Sequence, residues 1–159
     1  MKKLFSILFL TLCSLAHGQD LQPIKQILEN GLRTNDKAQI SYALKRCVTL
    51  NLVMGNWMQE KGGESLKPAV ENYFNSAVVL SEISFEIENN IERDRKIKLS
   101  TKEELEKGLM TNIKLISPLY IDRLSKNYAA TGSYFEKDEQ LKDEILICSN
   151  FTKHLKTLR

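Results

Sequence analysis

Between residues 36 and 59 apolar side chains recur at steps of three and four: Ile40, Ala43, Cys47, Leu50, Met54 and Trp57. That spacing keeps side chains on one face of a helix. It predicts a long helix with Asp36 as N-cap, running to about Lys61, where Gly62 and Gly63 offer the left-handed conformation a helix end favours. Ahead of it, Leu21, Ile24, Ile27 and Leu28 predict a short helix from Asp20 to Leu32, with Pro23 in its first turn and Gly31 at its end.

The pattern continues beyond the glycines. Val70, Tyr73, Ala77, Leu80 and Ile87, widened by Phe74, Val78 and Ile91, predict a helix from near Ser65 to Arg93, with Pro68 in the first turn. Ile83 to Ile87 alternates like a strand, but the run is short and set inside a helical pattern, so it is read as helix. A charged linker, Glu92 to Lys98, follows; its basic residues are interleaved with Glu92 and Asp94 and read as a solvated helix end.

Ser100 and Thr101 stand three residues before Glu103 and Glu104, so either pair makes a capping box for the next helix. Leu105, Leu109, Ile113, Ile116, Tyr120, Leu124 and Tyr128 trace its buried side, and Pro118 is expected to kink it near Ser117 or break it in two. Gly132 marks its end and Ser133 a new cap. The last helix, from about Lys137 to Leu158, carries Leu141, Ile145, Cys148, Thr152 and Leu155 on one seam. The expected fold is all-α: an antiparallel up-and-down bundle of about four long helices plus a short N-terminal helix.

The start of the chain changes the picture of where this domain works. Lys2 and Lys3, the apolar run Leu4 to Leu12, and small residues about Ser14 to Gly18 read as a signal peptide. The expected division is 1–18 signal peptide and 19–159 a single helical domain, periplasmic or extracellular, with no transmembrane anchor after cleavage. The apolar run falls short of the roughly 20 residues a membrane span needs. Lipid attachment at Cys13 is the competing reading, and Leu12 stands where such a site wants a small residue. With Cys13 removed, Cys47 and Cys148 are the only intramolecular pair, and in an oxidising compartment they are expected to form a structural disulfide. Two buried free thiols are the alternative.

Net charge falls from +3 to +1 when Lys2 and Lys3 leave, the full chain having 23 basic and 20 acidic residues. No basic face of the kind nucleic acid requires is expected. No catalytic, metal or cofactor site is expected either. His154 is the one histidine left after cleavage, no ExxH or CxxCH is present, and GxSxG and HExxH are missing. The glycines before Glu64-Ser65 lack the GK[ST] ending of a phosphate loop. Asn150-Phe151-Thr152 matches a glycosylation acceptor but falls within a helix.

Two functional readings follow. The first is a non-enzymatic protein-interaction or structural module, acting on a protein partner or on a second copy, with Tyr128, Thr131, Tyr134, Phe135 and Asp138 as its candidate binding patch. The second is a small-ligand-binding helical protein with a pocket near Pro118, lined by Tyr120, Met110 and Trp57.

Overall fold

A computed structural model describes residues 21–61 and 64–156, with side chains as far as residue 153. The signal-peptide segment, Cys13 and the two glycines at 62 and 63 lie outside the described residues, as does the side chain of His154. Every regular element among the described residues is helical: α1 (Ile24–Thr34), α2 (Lys37–Lys61), a single 3-10 turn (Glu64–Leu66), α3 (Lys67–Asp94), α4 (Lys102–Thr131) and α5 (Glu139–Lys156).

Local chemistry sets most of the boundaries. Pro23 stands just ahead of α1 and its carbonyl accepts from Gln26 N and Ile27 N, so the helix begins at Ile24 and not at Asp20. Its C-terminal end passes Gly31 and stops at Asn35, whose φ of 52° is left-handed. Asp36 then caps α2 directly, its Oδ1 accepting from Ala38 N and Gln39 N at 2.9 and 3.2 Å. Pro68 falls in the first turn of α3, where a missing N–H costs nothing.

At the start of α4 the structure chooses between the two capping pairs. Glu104 N donates to Thr101 Oγ1 at 3.2 Å and Thr101 N donates to Glu104 Oε2 at 2.7 Å, a closed capping box. Ser100 serves a different partner: its N–H and hydroxyl both donate to Glu92 on α3, at 2.7 and 2.5 Å. The charged linker is thus tied at both ends, and Lys37 pairs with Asp94 at 2.5 Å. Hydrogen bonds from the Ser100 hydroxyl and N–H hold the Glu92 carboxyl below its ordinary range, and those with Thr101 do the same for Glu104. A lowered carboxyl pKa contributes stability above the unfolded pKa, near 4.3, and loses it as pH falls through the folded value. Glu92→Gln is therefore expected to destabilise the protein at neutral pH, with the gap to the parent closing below about pH 4. Denaturant unfolding of both proteins at pH 7 and pH 3 measures this; an equal gap at both values would exclude the linkage.

Two expectations change. Pro118 does not divide its helix: α4 runs unbroken for 30 residues. Pro118 and Lys114, whose carbonyl loses its usual partner, are both exposed, so solvent can replace the missing bond. And α5 takes its cap from Asp138, which accepts from Leu141 N at 2.9 Å, in place of Ser133.

The helices are organised around α2, which packs on all four others, most extensively on α3 and next on α4 and α1. From Ala43 to Asn51 it is buried without interruption. The apolar seam read from the sequence is present, but the opposite face is also covered, as befits a helix at the centre of its neighbours. Val78, expected on the buried stripe of α3, is instead 57% exposed. Cys47 and Cys148 are bonded, joining α2 to α5 with their Cα atoms 5.3 Å apart.

Candidate functional site

One turn of α5 before Cys148, and next to Cys47 on α2, lies a polar cluster that the hydrophobic pattern does not announce. Arg46, Tyr120 and Glu144 come from α2, α4 and α5 and are each at most 1% exposed. Arg46 Nη2 donates to Tyr120 Oη at 2.8 Å and to both oxygens of Glu144 at 3.1 Å. The Tyr120 hydroxyl donates to Glu144 Oε2 at 2.8 Å. Glu144 Oε1 also receives Ile24 N and the Gln140 amide, while Arg46 Nη1 donates to the Gln22 carbonyl. Burial, and then the negative charge of Glu144, push the Tyr120 hydroxyl far above its ordinary pKa.

This arrangement holds elements together. Both Glu144 oxygens are engaged, the tyrosine is kept protonated, and the segment entering α1 is bound through its backbone. Five hydrogen bonds converge on the Glu144 carboxylate and fill its acceptor positions. Among the described residues, no group of three or more His, Cys, Asp or Glu side chains is placed to hold a metal ion.

Among several openings, the one with the most apolar lining is a cleft of about 420 Å³ along α2, within the usual range of about 300–1,000 Å³ for ligand sites. It opens because α3 and α4 both pack on α2 and far less on each other. Leu52, Val53 and Trp57 of α2 line it with Ile113 and Leu124 of α4. Phe74 of α3 closes one side, its ring lying where a Cβ on Gly55 would come within 2.9 Å of it. The missing side chain at Gly55 is what lets that ring approach α2 so closely. Met110 and Ile121 stand at the rim, each about half exposed. Polar groups are few: Asn56, Glu60, Ser117 and Ser125.

Tyr134, from the connection before α5, completes the wall. Its ring meets that of Trp57 edge-on, with centroids 4.1 Å apart and planes at 61°. Phe135 packs behind Trp57 with centroids 6.5 Å apart, and Tyr128 stacks on the other face of the assembly, 4.4 Å from Tyr134. These rings lie where they do because α4 ends at Gly132, at a φ of 73°, which turns the chain back across the end of α2.

The five residues of the candidate patch therefore have different roles. Tyr134 lines the cleft. Phe135 is half-buried against the core, and Tyr128 is 49% exposed beside them. Thr131 and Asp138 serve the backbone: Thr131 Oγ1 bonds the Asn127 carbonyl at 2.9 Å and accepts from Ser133 N. Asp138 pairs with Arg123 through two contacts of 2.5 Å besides capping α5.

For the pocket read near Pro118, Met110 and Trp57 line the cleft with Ser117, but Tyr120 points the other way, into the buried cluster. Phe74 and Glu60 were not foreseen there. The pattern placed Phe74 on a buried stripe without saying that it would face an opening, and Glu60 reads as an ordinary charge at a helix end.

The chain matches no family model, and no curated protein or solved structure is significantly similar to it. No helix among the described residues is long and apolar enough to cross a membrane.

Proposed function

We propose that this is an exported, non-enzymatic helical binding protein that holds a small apolar ligand in the cleft along α2. The observation that carries the reading is the cleft itself: an opening of ligand size with aliphatic and aromatic walls and few polar groups. Export follows from the pattern of residues 1–18, and the Cys47–Cys148 bond suits an oxidising compartment. Short connections between successive helices fit the antiparallel up-and-down arrangement expected for residues 19–159. The reading as a protein-contact module draws less support, because Thr131 and Asp138 of its patch are engaged in helix ends.

Trp57 is the one tryptophan in the chain and lines the cleft, so its emission reports occupancy directly. A neutral apolar probe such as N-phenyl-1-naphthylamine is expected to change that emission and to stabilise the fold. At 100 times its dissociation constant it adds about 2.7 kcal/mol to unfolding. Ser117→Phe, which fills the opening from α4 without adding a second tryptophan, is expected to abolish probe binding while the protein remains folded. Binding that survives this substitution would place the probe elsewhere; no binding by the parent would remove the ligand reading and leave a protein partner.

A further inference from the structure

The charge of the cleft points to the chemistry of its occupant. Among the described residues that line it, Glu60 is the one ionisable acid and no Lys, Arg or His is present. Glu60 is exposed in the last turns of α2 and takes part in no ion pair among the described residues. A fatty acid or other apolar anion entering the cleft would meet this carboxylate with no cation among the lining residues to offset it.

The ring faces act in the same sense. Trp57 and Tyr134 meet at 61° and form a corner, and Phe74 stands across the cleft on α3. Aromatic faces carry the negative part of the ring quadrupole and attract cations, ammonium groups above all. Glu60 lies three residues after Trp57, on the same face of the helix. A negative carboxylate and electron-rich ring faces therefore occupy one end, while Leu52, Val53, Ile113 and Leu124 supply an aliphatic remainder.

Resting on the ligand-binding reading above, we propose that the cleft selects apolar organic cations: an ammonium head against Trp57, Tyr134 and Glu60, and a hydrocarbon body along α2 and α4. Selection comes from the head, and affinity mainly from the hydrocarbon body.

The test uses three probes of equal chain length, octyltrimethylammonium, 1-octanol and octanoate, each kept below self-association and titrated against Trp57 emission of the mature protein. The cation is expected to bind about tenfold more tightly than the alcohol, and octanoate more weakly than either. Glu60→Gln should leave octanol binding unchanged and reduce the advantage of the cation. Glu64→Gln, an exposed acid outside the cleft, should change neither. Tyr134→Leu should weaken the cation more than the alcohol. If octanol binds but the cation binds no better, or if Glu60→Gln changes nothing, the charge selection is wrong and the apolar cleft stands. If none of the three binds, the ligand-binding reading itself falls.

Discussion

Arg46→Met is expected to lower the stability of the folded protein by about 3–5 kcal/mol, the usual cost of removing one partner from a buried ion pair. The guanidinium faces Glu144 from 3.1 Å, and both side chains are 1% exposed. Without it the carboxylate stays buried with only neutral donors, from Tyr120, Gln140 and the backbone of Ile24. The Gln22 carbonyl loses its donor at the same time, which loosens the entry to α1. For a domain whose total stability is of order 5–15 kcal/mol, this is a large fraction.

The triple change Arg46→Met, Tyr120→Phe and Glu144→Leu is expected to recover much of that loss, since it removes both charges and the hydroxyl together. Denaturant unfolding of the parent, the single and the triple variant decides the matter. A single variant within about 1 kcal/mol of the parent would mean that the cluster is not the anchor its geometry describes.

Loss of the Cys47–Cys148 bond is the second large effect. The bonded residues are 101 apart in sequence, and closing a loop of that length restricts the unfolded chain by up to about 4.7 kcal/mol, with about 2–4 typical in practice. The Arg46–Glu144 pair joins the same two helices beside the bond, so the reduced protein should keep α5 docked and the cost should appear chiefly in the unfolded state. Reduction, or Cys47→Ala with Cys148→Ala, is expected to lower Tm by roughly 10 °C without loss of helical signal at room temperature. Identical melting of oxidised and reduced protein would show that the bond does not constrain the chain. Arg46→Met in the reduced protein tests whether the two ties are independent; a loss larger than the sum of the separate effects would show that each compensates for the other.

Much of the fold was legible from spacing alone. Asp36, a capping box starting at Ser100 or Thr101, Gly132 and the cysteine pair were all readable, because a cap or a seam depends on residues a few positions away. Of the two outcomes expected at Pro118, the break in two does not occur, because the turn is exposed and solvent can stand in for the lost bond. Ser133 was misread because Asp138, a stronger acceptor, stands at the helix start.

The candidate site was legible only in part. Trp57, Met110 and Tyr134 could be named from their positions, but nothing local separates Tyr120, which turns inward, from a residue that faces an opening. The sequence by itself determined that the chain is helical, where most helices begin and end, and which cysteines can pair, since backbone hydrogen bonding and apolar periodicity act over one or two turns. The tertiary structure alone decided that Arg46 and Glu144 are buried and that a cleft lies along α2. Burying a charge depends on partners 74 and 98 residues away, and an opening exists only where two helices share a third without packing closely on each other.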